Sequence, residues 1–126
     1  MLDHLSLGTT NLERAIVFYD AALAPLGIAR LWTAADAVGY GYPSGEDKLA
    51  VKRRIGAAAP GPGFHVALIA HTRAEVDLFF RVGLLHGGID LGPPGLRPQY
   101  GAGYYAAFLS DPDGHHIEAV CHEATA

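Results

Sequence analysis

SDPDGHHIEAVCH, residues 110–122, joins a turn signal to an apolar run rich in β-favouring residues. The turn signal, Asp111–Gly114, has aspartate, proline and glycine where a type I turn favours them, so we interpret it as structural. The run His116–Cys121 has the composition of a buried strand, but Glu118 interrupts it. Because an ionised carboxylate without a partner is costly to bury, the sequence predicts that Glu118 has a cation, several hydrogen-bond donors or a raised pKa.

Two further segments resemble each other. Leu2–Leu7 is short and alternating, as a half-buried strand would be, and Gly63–Ala70 has the same character. His4 and His65 occupy the same place near the starts of these segments. This similarity indicates that the sequence contains two related halves.

A helix signal follows each of these predicted strands. Thr10–Glu13 (TNLE) and Thr72–Glu75 (TRAE) both match the Thr-x-x-Glu capping box, which satisfies the first backbone N–H groups of a helix. Both helical segments then run into glycine, at Gly27 and at Gly87. The histidines lie 61 positions apart and the threonines 62, which predicts a one-residue slip in the repeat. The predicted apolar helix faces consist of Leu12, Ala15, Ile16, Tyr19 and Leu23, and of Val76, Phe79, Phe80, Gly83 and Leu84.

Short strand-like runs follow each predicted helix. They cover 29–33, 37–42 and 48–55 in the first half, and a poorly defined segment near Leu96, 104–109 and 116–121 in the second. The half-unit is therefore βαβββ, used twice, which predicts an α+β fold. GAAAPGPG (56–63) has the composition of a linker. We expect one domain over 1–126, with module 1 at about 1–56, a linker at 57–62 and module 2 at about 63–126.

The composition excludes several classes of protein. The formal net charge is −4 and Lys52–Arg54 is the only basic cluster, which argues against a nucleic-acid partner. No apolar run approaches the roughly 20 residues that a membrane span requires. The glycine-rich stretches match neither a phosphate loop nor a dinucleotide fingerprint, so no nucleotide cofactor is expected. Cys121 is the single cysteine, which fits a reducing compartment, and we expect a cytoplasmic protein.

His4, His65 and Glu118 are the candidate metal ligands. Two imidazoles and one carboxylate form a common ligand set for first-row divalent metals and leave coordination positions open for substrate or water. Each residue also has a plainer interpretation. His4 alone is more often a surface or hydrogen-bonded histidine, and Glu118 would also fit the solvent face of an edge strand. The equivalent positions of the two histidines favour the metal hypothesis.

Tyr104, Tyr105 and His116 are candidate catalytic residues. Successive side chains of a strand point to opposite faces, so only one of the two tyrosines can position a substrate, and core packing is the plainer use of the other. His116 shares a face with Glu118, as a substitute ligand or proton carrier, or more simply as a rim histidine.

Arg97 and Lys52 are candidates for binding an anionic substrate, because a guanidinium or ammonium group in a cup attracts a carboxylate or phosphate. A solvated face is the plainer interpretation for most of the basic residues. The remaining histidines are expected at the surface: His71, His86, His115 and His122.

DHLSLGTTNLERAIVFYDAALAPLG (3–27), the central histidine strand and YYAAFLSDPDGHHIEAVCH (104–122) resemble the glyoxalase, bleomycin-resistance and extradiol-dioxygenase superfamily, also called vicinal oxygen chelate proteins. The resemblance covers nearly the whole chain. It implies that the two βαβββ modules form a cupped eight-stranded mixed sheet with helices on the outer face. It also implies a metal in the cup, held from the first, fifth and last strands, where this sequence has His4, His65 and Glu118.

The sequence departs from the family pattern at one position. Glyoxalase I enzymes, which resemble this pattern, add a fourth ligand from the fourth strand. Aligning LAV (49–51) with EAV (118–120) puts Leu49 there, with Lys48 or Ala50 if the register slips, and none of these is an ordinary metal ligand. The three-ligand set is closer to the fosfomycin-resistance enzymes and the extradiol dioxygenases, although such dioxygenases usually need two module pairs.

The leading hypothesis is a metal-dependent enzyme. One divalent ion (Zn, Ni, Mn or Fe(II)) would act as a Lewis acid on a small oxygen-rich substrate, in lyase, isomerase or thiol-transfer chemistry. Two alternatives stay open: a non-catalytic small-molecule-sequestering protein of the bleomycin-resistance type, and an Fe(II) ring-cleaving dioxygenase. The resemblance also implies a homodimer, in which module swapping would bring His4 of one subunit to His65 and Glu118 of the other.

Overall fold

The computed structural model describes residues 1–122 and contains the strand–helix–three-strand unit twice. The first module consists of β1 (Leu5–Thr9), α1 (Leu12–Leu23), β2 (Ala29–Thr33), β3 (Ala37–Gly41) and β4 (Asp47–Arg53). The second consists of β5 (Val66–Ile69), α2 (Arg73–Leu85), β6 (Ile89–Leu96), β7 (Tyr105–Ser110) and β8 (His116–Cys121). Short 3₁₀ turns lie at Ala24–Leu26 and Pro98–Tyr100.

The two modules have the same sheet topology. The first sheet has the order β1-β4-β3-β2 and the second the order β5-β8-β7-β6. In each sheet the first strand of the module pairs in parallel with the last, and the other pairs are antiparallel. The predicted α+β fold of two βαβββ modules is confirmed. Within the described part of one chain, the eight strands form two four-stranded mixed sheets.

One apolar core joins the modules. It contains Phe18 and Tyr19 from α1, Phe79 from α2 and inward-facing residues of both sheets, such as Val38 and Leu109. The helices pack on one face of each sheet, the face that contributes to the core. The opposite face of each sheet is not part of this packing. Neither helix in residues 1–122 has the length and apolarity needed to cross a membrane.

The start of α1 differs from the prediction. Asn11, not Thr10, is the N-cap, and its side-chain oxygen accepts the N–H of Arg14 at 3.0 Å. Both residues can cap a helix, and asparagine is the more favourable N-cap of the two. The α2 prediction is correct, since the Thr72 hydroxyl accepts the N–H of Glu75 at 3.1 Å.

This correction removes the slip from the repeat. The caps Asn11 and Thr72 lie 61 positions apart, as do the first strand residues Leu5 and Val66. His4 and His65 directly precede those strand residues. The two modules are therefore in exact register from the histidines to the helices.

β6 is longer than its sequence indicated. We expected only a poorly defined segment near Leu96, but the strand extends over Ile89–Leu96 and contains Pro93 and Pro94. It is an edge strand, where a missing N–H is tolerated, and its pairing with β7 shifts register twice. The prolines and glycines weaken the strand signal in the sequence, although an edge strand tolerates them.

The turn Asp111–Gly114 fastens the second module to the first. Asp111 accepts the Tyr19 hydroxyl at 2.5 Å, and Asp113 accepts the Thr9 hydroxyl at 2.6 Å and the Arg14 guanidinium at 2.8 Å. Burial, the largest effect, raises the pKa of Asp111, although the hydrogen bond from Tyr19 favours its ionised form. The turn therefore has the structural role predicted for it.

The prediction that His115 lies at the surface is wrong. His115 is only 2% exposed, and its Nε2 lies 2.8 Å from the carbonyl oxygen of Gly8 in the other module. The turn directs this ring inward because it follows Gly114, whose backbone is left-handed at φ 91°. His71, His86 and His122 are exposed.

The cap assignment gives a matched pair of variants. Asn11→Ala should lower the free energy of unfolding by about 1 kcal/mol, because an N–H at the start of α1 loses its acceptor. Thr10→Ala should change it by well under half that amount. Urea unfolding followed by circular dichroism measures both, and equal losses in the two variants would contradict the assignment.

Candidate functional site

The register of the second sheet determines which side chains share a face. Glu118 on β8 is the cross-strand partner of Ala67 on β5 and of Phe108 on β7. Cross-strand partners point to the same side of a sheet. We call the side that carries Ala67, Phe108 and Glu118 the site face. The opposite side carries core residues such as Leu109 and Ile117.

Glu118 is buried on this face and has two polar partners. Its side chain is 1% exposed, and its Oε1 lies 3.0 Å from Nε2 of His65. The Tyr104 hydroxyl donates a hydrogen bond to Oε2. The side chain of His65 is 51% exposed, so the pair can be reached from solvent. The carboxylate in the apolar strand is thus held by two groups from neighbouring segments.

The two adjacent tyrosines point in opposite directions, as strand alternation requires. Tyr104 faces Glu118, and burial together with that hydrogen bond raises the pKa of Tyr104 to about 12. Tyr105 instead donates to Asp77 of α2 at 2.6 Å, and the Arg73 guanidinium lies 5.1 Å from its ring centre. The structure therefore brings Tyr104 to the site and places Tyr105 on the helix side, away from it.

An open cavity of about 380 Å³ adjoins the histidine of this pair. His116 is exposed at its edge, on the same side of β8 as Glu118. Phe108 forms part of its floor, with its ring centre 6.5 Å from that of His65. The sequence analysis missed Phe108, although its even spacing from Tyr104 places it on the same face. The other large side chains of the lining are Phe64, Leu91 and Tyr100.

His4 lies apart from this cluster in one chain. Its side chain is 60% exposed, and its Nδ1 lies 2.6 Å from a carboxylate oxygen of Asp3. It borders a different, mainly apolar cavity of about 410 Å³, beside Tyr40 and Lys48. Residues 1–122 contain no group of three His, Cys, Asp or Glu side chains that could hold a metal. The set His4, His65 and Glu118 therefore stays a prediction for an assembly of two chains.

The register also identifies the counterpart of Glu118 in the first module. Ala67 pairs with Glu118, and its equivalent Ser6, 61 positions earlier, pairs with Ala50. Leu49 was the wrong alignment, since it is a core residue that faces the helices. The one-residue shift to Ala50 leaves the conclusion unchanged, because a methyl group offers no atom to a metal.

The two basic candidates lie on different sheets. The guanidinium carbon of Arg97 is 5.4 Å from the centre of the Phe108 ring, which places it over the site face. Lys52 is half-buried on β4, opposite Gly8 and on the same side as Ala50. In the same basic cluster, Arg53 is bound to Glu13 and Asp36, so it is not available to a substrate.

Comparisons with known proteins agree with this architecture. A family model described as Glyoxalase/Bleomycin resistance protein/Dioxygenase superfamily matches residues 1–119. Among solved structures, a glyoxalase/bleomycin resistance protein from Albidiferax ferrireducens T118 is 31% identical with a TM-score of 0.82, over 96% of this chain and 98% of that one. No curated protein gives a significant match.

Two more distant structures share the fold alone. A glyoxalase-related enzyme from Fulvimarina pelagi is 23% identical, with a TM-score of 0.73, over 96% of this chain and 87% of that chain. A V278E mutant of glyoxalase I from Zea mays is 22% identical, with a TM-score of 0.71, over 94% of this chain and 45% of that one. The family model and the 31% identical structure carry the assignment: the chain belongs to the Glyoxalase/Bleomycin resistance protein/Dioxygenase superfamily.

Proposed function

We propose that the protein is a metal-dependent enzyme that acts on a small oxygen-rich substrate at the site face. The observation that carries the proposal is the buried carboxylate of Glu118, which is oriented by Tyr104 and paired with Nε2 of the half-exposed His65 side chain. Carboxylates are seldom buried without a cation or a role in chemistry. The lyase, isomerase and thiol-transfer reactions of the initial hypothesis all remain compatible with this site.

The residues present fit a divalent metal. Metal–nitrogen and metal–oxygen bonds are about 2.1 Å long, so two ligand atoms at a right angle lie roughly 3 Å apart. Nε2 of His65 and Oε1 of Glu118 lie 3.0 Å apart, which is close enough for both atoms to bind one ion. Imidazole and carboxylate ligands suit Zn, Ni, Mn and Fe(II) alike, so the donor set does not select among them.

The third ligand of the proposal is His4 of a second copy. His4 directly precedes β1 just as His65 directly precedes β5, so the two side chains have equivalent places in their modules. It is largely exposed, and its partner Asp3 is an exposed surface residue. A homodimer in which the first module of one copy covers the site face of the other would complete the ligand set twice.

Each side chain of the site has a distinct part in this proposal. The metal would supply Lewis-acid stabilisation of negative charge on a substrate oxygen. Tyr104 remains protonated near neutral pH, because its pKa is raised to about 12, and therefore fixes the orientation of the Glu118 carboxylate. His116, exposed at the cavity edge, has ring nitrogens that can hydrogen-bond to a substrate and act as its proton carrier.

Metal content tests the proposal directly. The wild-type protein should bind about one divalent ion per chain, and Glu118→Gln should lose most of it, because the amide keeps the shape but not the charge. His65→Ala should behave in the same way, whereas His86→Ala, at the exposed end of α2, should retain the metal. Elemental analysis measures all four proteins. A folded wild type that is free of metal after incubation with each ion, and binds planar ligands, would favour sequestration instead.

Mixed dimers test the shared site. His4→Ala and Glu118→Gln homodimers should each lack metal, but a purified heterodimer of the two contains one intact ligand set. Differently tagged chains, co-expressed and purified through both tags, should therefore recover about half of the wild-type metal. A heterodimer as empty as its parents would contradict the contribution of His4 from a second copy.

The raised pKa of Tyr104 gives a pH prediction. Hydrogen bonding to Glu118 and burial favour the protonated phenol, so this stabilisation is present below the unfolded value near 10 and is lost as pH rises through about 12. The difference in absorbance at 295 nm between wild type and Tyr104→Phe should stay close to zero up to pH 10. If this difference shows that Tyr104 of the wild type is already half-ionised at pH 10, the Tyr104–Glu118 contact is contradicted.

A further inference from the structure

Arg97 follows β6, and its side chain folds back along that strand. Its backbone N–H donates to the carbonyl oxygen of Tyr104 at 2.8 Å, and its Nη2 donates to the carbonyl oxygen of Pro93 at 2.6 Å. Arg97 is thereby held at two points, its backbone by Tyr104 and its guanidinium by Pro93. These contacts with the second sheet determine where the guanidinium lies.

Two glycines of β6 make room for this guanidinium. A Cβ atom at Gly92 would lie 3.3 Å from Nη2, and one at Gly95 would lie 3.1 Å from Nη1. Both distances are tighter than ordinary Cβ contacts, so a Cβ atom at either position would require the guanidinium to shift by a few tenths of an ångström. The ring of Phe108 lies on the other side, 5.4 Å from the guanidinium carbon, in the range of a cation–π contact. The strand thus provides a cradle for Arg97.

Arg97 keeps its charge available. Arg14, Arg30 and Arg53 each pair with an aspartate or glutamate, but within residues 1–122 no carboxylate pairs with Arg97. Its side chain donates to the carbonyl oxygens of Pro93 and, at 3.5 Å, of Leu96. A guanidinium has five N–H groups, so donors remain for an anion.

The guanidinium and the His65–Glu118 pair lie around one phenyl ring. Phe108 is the cross-strand partner of Glu118, and its ring contacts His65 as well as Arg97. A ligand that lies on Phe108 would therefore meet a fixed positive charge at one end and the candidate metal ligands at the other. A neutral oxygen-rich molecule would have no negative group to pair with the Arg97 guanidinium.

We infer that Arg97 determines substrate specificity by binding an oxyanion group, carboxylate or phosphate, of a small molecule whose other oxygens lie at His65 and Glu118. The second half of this inference rests on the proposed function, but the anion-binding half does not. The substrate class is a small hydroxy- or oxo-acid, or its phosphorylated counterpart.

A matched pair of probes tests the inference. Hydroxyacetone and hydroxypyruvate carry the same two adjacent oxygens, and differ by a methyl group in place of a carboxylate. Metal-loaded wild-type protein should bind hydroxypyruvate at least about tenfold more tightly, as expected for charge-assisted hydrogen bonds. Arg97→Gln should reduce the preference several-fold, leaving only what the carboxylate gains from the metal, and Gly95→Ala should reduce it less because its Cβ crowds Nη1. Arg81→Gln, an exposed residue of α2, should leave it unchanged. Isothermal titration calorimetry measures each affinity.

Two further measurements separate this inference from the proposed function. Arg97→Gln should keep the wild-type metal content, which shows that any lost affinity comes from the anion contact. Titration with inorganic phosphate, without added metal, should show weaker binding in Arg97→Gln than in wild type even if no metal site exists. If the preference for hydroxypyruvate and the affinity for phosphate are the same in wild type and Arg97→Gln, the inference is wrong, whatever the metal analysis shows.

Discussion

The central constraint on this molecule is the burial of one carboxylate in the middle of an apolar strand. Glu118 is surrounded by β8 residues that are themselves buried, and water cannot compensate its charge there. Its position is tolerable because Tyr104, directly before β7, and His65, directly before β5, both reach it. Both contacts depend on register: a shift of one residue in β8 would turn the acid into the core and remove both partners. The sheet pairing that builds the module is therefore also what builds the site.

The duplicated fold has diverged into two unequal halves. The modules keep the same topology and the same 61-residue offset from histidine to helix cap, yet Ala50 stands where Glu118 stands in the second module. The second module carries the carboxylate, Tyr104, His116 and Arg97, whereas the first offers His4 as its one candidate ligand. An unequal division of this kind suits a site made between modules, because one half can supply most of the polar groups while the other closes the site.

The sequence was informative where periodicity and burial act together. Alternation placed Glu118 and one of the two tyrosines on a common face, and the two histidines marked equivalent strand starts. Prediction from the sequence failed where either of two neighbouring residues could take the same role. Asn11 and Thr10 can each cap a helix, and Leu49 and Ala50 differ only by a register that hydrogen bonds decide. The sequence predicts a surface position for His115 because nothing local shows that the turn directs its ring towards Gly8 of the other module. The cradle of Arg97 was equally hidden, since it depends on the space above two glycines of an irregular edge strand.

Stability and function place different demands on the two modules. Within one chain the modules share a core, and the turn Asp111–Gly114 binds Thr9, Arg14 and Tyr19, so contacts inside the chain hold the two modules together. The same packing leaves His4 at a cavity that β5 also lines, and in residues 1–122 His4 does not join His65 and Glu118 in one cluster. The homodimer proposed above would bring these candidate ligands together by presenting the first module of one copy to the second module of the other. On that argument, mutations in the turn should lower the stability of each subunit, whereas His4 should affect metal binding while leaving the fold of its own chain intact.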